Sequence, residues 1–566
     1  MKMKLLALTP VHIGTGNTLE PFEYVVQQGI FSRISQDRAF SLCIDKYADF
    51  PEKFFAWIDR KSSDLIAARG NQAQNQVIRN FNIREFILTE YKDKELAAAV
   101  ITQGSAYSCA AMYGFTVNKQ VAECMKSTGN QPYIPGSSVK GAVKTALLYR
   151  SLMQMNPNDA KNLIYSVKKT NAWRNPRSSR GLDEPLMKYF FICGNQEFAS
   201  SRTDALYDIM KFIRISDAGM DSGDMAVYPA AIILPDKEPQ KQLNPQEAIT
   251  RGSAFSFTIT VGVTELKTIL SKKHQGWSDL QAKFKRVFGV DPAAVSAENL
   301  EAEVVKSIRD ALQKFSESQL LLEEKWTELY RHTLKVEGKP DTTNADYSVV
   351  KRFYETFIKS KPYIRIGWGS GFQATTIYTM LLTTDDLKKF TLEMFHLYGI
   401  GIPPGRANAD KKVKNLDKFP KSRRVTIRDI DHPVYPFGWM VMLNDTEQFT
   451  VPEINESEEN YFLGKGAPEA KKKEEKLTDD QYTERNKNRV YVIGDIVEAK
   501  YGMHQKSTVA LILCDPRYRE KQYLDKPLMI SYGAADRLQQ ERIFRVKIKA
   551  MKNGAITTVE FHSFIG

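Results

Sequence analysis

Apolar and polar residues alternate over residues 255–263, with Phe255, Phe257, Ile259, Val261 and Val263 on one side. A period of two over that length predicts an amphipathic strand. Residues 3–8 are short, apolar and closed by Thr9-Pro10, which predicts a buried strand. Similar runs predict strands around Phe22–Val26, Ile30–Ser35, Ser41–Ile44 and Ile213–Ser216, and a late strand over Pro436–Leu443. Helical spacing replaces alternation from Phe50 to about Ala98. It returns from Glu265 to about Leu334, where Leu312, Phe315, Leu320, Leu321, Trp326 and Leu329 are apolar positions of two to four helices packed on the sheet. Pro135-Gly136-Ser137 breaks the chain before a helix over Ser138–Met153, with Ser137 or Ser138 as its N-cap.

These patterns divide the chain. Residues 1–264 form a strand-rich N-terminal module with helical insertions, 265–345 a helical segment, and 346–452 a C-terminal part that carries a glycine-rich loop. Residues 453–489 are charged and low in complexity, the composition of a solvated linker. Residues 490–566 return to strand patterns over Val490–Ile493, Ile496–Tyr501, Thr508–Cys514, Leu528–Ser531, Ile543–Met551 and Ala555–Phe561. A small closed β-barrel of the OB type fits that spacing, and a β-sandwich module fits it almost as well. A chain of 566 residues has room for two or three such cores.

Charge narrows the partners. The formal net charge is +13, which favours a polyanion without choosing between nucleic acid, acidic protein and membrane surface. The densest basic stretch holds Lys411, Lys412, Lys414, Lys418, Lys421, Arg423, Arg424 and Arg428 against one acid, Asp417. Phosphate contacts there release counterions and are salt-sensitive, whereas a solvated loop is the plain alternative. Five scattered cysteines, Cys43, Cys109, Cys124, Cys193 and Cys514, form no C-x-x-C pair, so a thiolate metal site is not expected and a reducing cytoplasm fits. No apolar run is long enough for a membrane span, and no cofactor motif is evident.

Three turns carry candidate chemistry. Ile364-Arg365-Ile366-Gly367-Trp368-Gly369-Ser370-Gly371-Phe372 places alternate glycines after an apolar run. Such a loop can turn its N–H groups toward phosphate, or simply make a tight turn. Trp368 can stack on a base or plug a core. The turn at Pro135-Gly136-Ser137-Ser138 opens a helix with Lys140 and Lys144 one turn apart on one face, an anion site or a capped surface helix. His12, in Thr9-Pro10-Val11-His12-Ile13-Gly14-Thr15-Gly16, could act as a base on a ribose 2′-hydroxyl, though a hydrogen-bonded histidine near the core is commoner. Asp217 ends a strand and is read first as a turn former, second as an acid or ligand.

Taken in order, T-P-V-H-I-G-T-G at 9–16, Y-I-P-G-S-S-V-K-G-A at 133–142, I-R-I-S-D at 213–217, I-R-I-G-W-G-S-G-F at 364–372 and Y-P-F-G-W at 435–439 resemble the RAMP proteins of CRISPR systems. The similarity covers roughly residues 1–445. Within that family it points to the type III-A (Csm complex) subunit at the 3′ end of the crRNA. The resemblance implies an α+β fold of tandem ferredoxin-like (RRM-like) modules. It implies a terminal cap of a ribonucleoprotein filament beside the repeated backbone RAMP subunit. With no convincing set of catalytic groups in the sequence, the expected role is crRNA binding without catalysis in antiviral defence, with the backbone RAMP subunits and small subunit as partners and host maturation nucleases as candidates only. The resemblance also implies that Ser137, Ser138, Lys140, Gly367, Gly369 and Gly371 lie near RNA. With the turns and basic residues above, the expected RNA contacts also include His12, Gly14, Gly16, Lys144, Arg214, Trp368, Ser370, Arg423 and Arg424. RNP-type aromatic pairs are not recognisable, so bases are not expected to stack on the sheet face in the usual RRM way. The linker and residues 490–566 lie outside the resemblance. The alternatives are a RAMP endoribonuclease using His12 or Asp217, and a protein scaffold.

Overall fold

The computed structural model describes residues 1–112, 119–176, 179, 181–194, 206–234, 237–272, 275–336, 348–357, 360–401, 413, 416, 419–428, 433–452, 479–487, 489–493, 495–505, 508–518, 521–525 and 543–564. Its chain divides into two compact units, Met1–Glu459 and Asn460–Gly566.

The first unit is built on an antiparallel sheet in the order Tyr363–Arg365, Trp439–Asn444, Lys2–Ala7, Ala254–Val261, Ala218–Ser222, Tyr133–Ile134, with Ile213–Ile215 pairing the far end of Ala254–Val261. Leu5 lies opposite both Phe255 and Met442. The alternation of Ala254–Val261 is realised, with Phe255, Phe257, Ile259 and Val261 buried and the residues between them exposed. Trp439–Leu443 is buried at every position, as a continuous apolar run should be. On the sheet lie the helix Gly136–Met153, through Val139, Val143 and Leu147, and the long helix Ala297–Val336, through Val304, Ile308, Leu312 and Phe315. Each such side chain contributes about 1.5–3 kcal/mol of burial. Numbered in chain order, with Lys2–Ala7 first, Ile213–Ile215 and Ala218–Ser222 together second, Ala254–Val261 third and Trp439–Asn444 fourth, the strands lie side by side as fourth, first, third, second, with one of these helices in each long crossover.

A second sheet runs Gly14–Leu19, Val121–Cys124, Gln246–Ile249, Met225–Tyr228, Ser105–Ala111, Ile30–Ile34, Tyr24–Gln27 and mixes parallel with antiparallel pairs. It does not repeat the order of the first. Against it stands a helical subdomain around Phe50, Trp57 and Phe86. The strand expected at Ser41–Ile44 is instead part of the helix Gln36–Lys46, because Ala39 and Cys43, four apart, are its buried face. The helices expected between 265 and 334 are Val263–Lys272, Leu280–Phe288 and Ala297–Val336. The strand Arg423–Ile427 joins Lys237–Gln242, Ala230–Leu234 and Pro433–Pro436 in a third sheet. No helix among the described residues is long and apolar enough to cross a membrane.

The second unit is a five-stranded antiparallel sheet in the order Tyr523–Asp525, Thr508–Leu513, Ile496–Gln505, Ile543–Lys552, Ala555–Phe564. Val497, Leu511, Phe544, Val546 and Ile556 form its core. Ile496–Gln505 pairs with one neighbour through its first half and with the other through its second, overlapping at Ala499 and Lys500. Among the described residues no ladder joins the two edge strands, Tyr523–Asp525 and Ala555–Phe564, so closure into the expected barrel is not shown. Val490–Ile493 is not a strand, and the expected strand at 528–531 lies outside the described residues. Asp479–Asn486, inside the span read as linker, is a helix. Its Tyr482 packs with Cys514, and Asn486 donates to Glu498 Oε2 at 3.0 Å and to the Cys514 carbonyl at 2.9 Å. Two inward residues four apart in a polar segment are easily missed by composition.

Candidate nucleic-acid interface

Three of the sequence motifs meet at one edge of the first unit. As the N-terminal strand ends, Thr9 Oγ1 accepts the Trp439 N–H at 2.9 Å and the Pro10 carbonyl accepts the Gly438 N–H at 2.9 Å. Gly438 in turn accepts from Ile366 N–H at 2.9 Å, and the His12 carbonyl accepts from Trp368 N–H at 2.8 Å. The approach is too close for side chains. A Cβ on Gly367 would stand 2.4 Å from the His12 oxygen, and one on Gly438 would stand 2.3 Å from the Ile366 oxygen; both residues have positive φ. Much of the loop is therefore packed inward. Trp368 N–H is used by His12 and Ser370 N–H by Gly367, Ser370 is buried with its hydroxyl on the Gly367 carbonyl at 2.8 Å, and Gly369 abuts Phe437. Only Gly371 of the three glycines is fully exposed.

What the loop leaves at the surface is Trp368. Its indole is half-buried, held edge-on between His12 at 6.2 Å and Phe437 at 5.1 Å between centroids. The exposed Arg424 guanidinium lies 5.0 Å over the ring and has no ion pair among the described residues. Beside them runs the sheet-edge strand Gly14–Leu19, exposed from Gly14 through Thr18. Its pairing slips between Gly14 and Thr18, so Thr15–Asn17 bulge outward with Gly16 at φ 90°. An aromatic ring, a guanidinium with no ion pair among the described residues and an exposed small-residue edge suit a phosphodiester strand.

His12 itself is 3% exposed. Its Nδ1–H donates to the Glu247 carbonyl at 2.5 Å. Burial, abetted by Lys126, lowers its pKa from the usual histidine value against the pull of that hydrogen bond. Beneath it the fully buried Glu247 carboxylate accepts from Lys126 Nζ at 2.6 Å, from Cys124 N–H at 2.9 Å and from the Tyr107 hydroxyl. This cluster was not legible from residues more than a hundred positions apart.

The support beneath Trp368 is also charged. Glu323, from the long helix, is 0% exposed and accepts from Arg365 Nη1 at 2.9 Å and Arg423 Nε at 2.6 Å. Arg365 reaches on to the Gly369 and Phe437 carbonyls, each at 3.3 Å. Burial alone would raise the Glu323 carboxyl; the Arg423 and Arg365 guanidiniums outweigh it and hold it below the usual carboxylate range. The Gln373 amide completes the group, donating to Glu323 and accepting from Arg423, each at 2.8 Å. Arg423, expected at RNA, is thus turned into the core while its neighbour Arg424 faces out, the strand alternation deciding which. Arg365 and Glu323 were not picked out by sequence, although a charged residue inside the apolar run 363–366 was a signal.

The other predicted site lies elsewhere. Tyr133–Ile134, which leads into the IPGSS turn, and Tyr363–Arg365, which leads into the glycine loop, are the opposite edges of the six-strand order, roughly 24 Å apart at sheet spacing. Neither Ser137 nor Ser138 is the N-cap. The cap is Pro135, and the Gly136 N–H donates to Asp217 Oδ1 at 2.7 Å, so a carboxylate of the chain occupies the helix start. Asp217 is thereby a structural cap. Lys144 Nζ pairs with Asp208 at 2.6 Å and sits over the Phe191 ring, and Arg214 pairs with Glu265 at 3.0 Å. Lys140 is half-buried, its pKa lowered by desolvation, and Ser137 is exposed. Lys411, Lys412, Lys414 and Lys418 lie outside the described residues. No cluster of three His, Cys, Asp or Glu able to hold a metal occurs among the described residues.

Comparison with known proteins bears on this arrangement. Residues 4–372 match the model of the RAMP superfamily. A protein of Methanocaldococcus jannaschii described as "CRISPR system Cms protein Csm5" is 20% identical over 449 residues, 78% of this chain and 88% of that protein. A Streptococcus thermophilus protein of the same description is 27% identical over 173 residues, 29% of this chain and 44% of that protein. Among solved structures, a chain of the cryo-EM "Csm-crRNA-target RNA ternary complex in type III-A CRISPR-Cas system" overlays 78% of this chain and 100% of its own length at a TM-score of 0.50 and 22% identity.

Proposed function

This chain belongs to the RAMP superfamily, and on that premise we propose that it is the crRNA-binding subunit that closes the 3′ end of a type III-A Csm complex and holds its RNA without cutting it. The observation that carries the reading is the half-buried Trp368 under the exposed Arg424 beside the bulged edge Gly14–Leu19, where three motifs of the resemblance converge. The two relatives described as Csm5 support the assignment to a Csm complex. We read the four-one-three-two strand order of the central sheet as one ferredoxin-like module and the second sheet as its rearranged partner. Backbone RAMP subunits, the small subunit and crRNA are the partners of this reading, with maturation nucleases acting on RNA it leaves unprotected.

Holding rather than cutting is favoured by the state of the candidate groups. Asp217 is engaged as a helix cap and the His12 ring is fixed by Glu247. General acid–base cleavage needs two groups free to exchange protons at one 2′-hydroxyl and one leaving oxygen. The test uses the full chain with radiolabelled RNA. The reading expects binding that weakens steeply with salt, that falls at least about tenfold in Arg424→Glu, and that leaves RNA intact with or without divalent metal. Cleavage abolished by His12→Ala would replace this reading with the endoribonuclease.

A further inference from the structure

The interface holds one polar atom whose chemistry is unusually well defined. Nδ1 of His12 faces a carbonyl oxygen, which can only accept, so the ring proton sits on Nδ1. Burial keeps the ring neutral near pH 7. Nε2 is therefore an acceptor and not a donor. It has no hydrogen-bond partner among the described residues, and it is not one of the buried, unpartnered side-chain atoms. What keeps it open is Gly14. A Cβ built at that position would lie 2.8 Å from Nε2 and cover it. Gly14 has no positive φ, so its backbone does not demand glycine; the ring nitrogen does. Around this atom stand the exposed residues Gly14–Thr18 and the Trp368 ring, whose centroid is 6.2 Å from that of His12.

A neutral, fixed acceptor at the rim of a strand-binding surface has a matching donor in RNA and none in the sugar of DNA. We propose that Nε2 of His12, uncovered by Gly14, accepts a hydrogen bond from a ribose 2′-hydroxyl and so makes this surface select RNA over DNA. The inference rests on the RNA-holding reading above and adds the group that reads the sugar. Trp368 and Arg424 grip base and phosphate in either nucleic acid; His12 distinguishes them. His12 is then a binding residue that takes no proton, which separates this role from that of a general base.

The experiment measures affinity of the full chain, at one fixed salt concentration, for three single-stranded oligomers of equal length: oligouridylate, its 2′-deoxy counterpart and its 2′-O-methyl counterpart. The methyl ether keeps a ribose-like sugar but cannot donate. One net hydrogen bond corresponds to about a five- to tenfold preference, so the wild type should favour oligouridylate over both others by that factor. Gly14→Ala, which leaves His12 in place and covers Nε2, should abolish the preference, bringing the affinity ratio of oligouridylate to each of the other two to about one; His12→Phe should do the same. Preference retained in Gly14→Ala, or an equal loss for all three oligomers, overturns the assignment of Nε2. If the wild type binds none of them, or binds all three with no sensitivity to Arg424→Glu, the RNA-holding reading itself has failed. A wild type that binds all three equally, yet loses all in Arg424→Glu, keeps that reading and removes His12 as the sugar reader.

Discussion

Two edges of one sheet carry turns that look alike in sequence: small residues, followed by or following cations. At one edge, the IPGSS helix start is satisfied from within, because Asp217 caps it and Asp208 takes Lys144. At the other, the glycine loop is packed so tightly that its Trp368 and Ser370 amides are used, yet the Trp368 ring stays at the surface under Arg424, which has no ion pair among the described residues. Glycine and lysine content therefore does not identify an anion site. What matters is whether the chain supplies its own counter-ion, and that is set by residues distant in sequence.

Glu323→Ala leaves Arg365 and Arg423 buried without their carboxylate and should cost about 3–5 kcal/mol, read as a lower urea midpoint at unchanged slope. Next, Arg424→Glu should lower RNA affinity at least about tenfold and reduce its salt slope, whereas Arg423→Lys should act on stability instead. Lys144→Ala should do little to either. Its pair with Asp208 is partly exposed and contributes about 0–1 kcal/mol; a change in RNA affinity as large as that of Arg424→Glu would erase the contrast between the edges.

The pH dependence sharpens the first of these. The Glu323 carboxyl is held below its ordinary value of 4.5 in the fold, so above pH 4.5 the folded and unfolded carboxyls are both ionised and the stabilisation is fully present. Below it the unfolded chain takes up the proton first, and the contribution is lost as pH falls toward the folded value. The difference in thermal midpoint between wild type and Glu323→Gln should accordingly shrink below about pH 4.5.

Sequence pattern carried much of the fold. Alternation located Ala254–Val261, apolar runs located Lys2–Ala7 and Trp439–Asn444, and helical spacing located the helices between 265 and 334. It failed where one buried face was too sparse to register. Ala39 and Cys43 made a helix of a supposed strand, and Tyr482 with Asn486 tied a polar segment to the C-terminal sheet. A fragment beginning at residue 479 should thus be more stable than one beginning at residue 490. The site was legible as motifs but not as contacts. That His12, Trp368 and Phe437 touch, and that Arg424 rather than Arg423 faces outward, follows from strand register and close backbone approach, which a single sequence does not encode visibly.

The central claim is that RNA runs over the Trp368–Arg424 edge. Photo-crosslinking of 4-thiouridine RNA to the full chain, with the adducts mapped by mass spectrometry, tests it directly. Adducts are expected in the peptides holding Trp368 and Gly14–Thr18; adducts confined to Ser137–Lys144 or to the C-terminal unit would mean that RNA runs elsewhere.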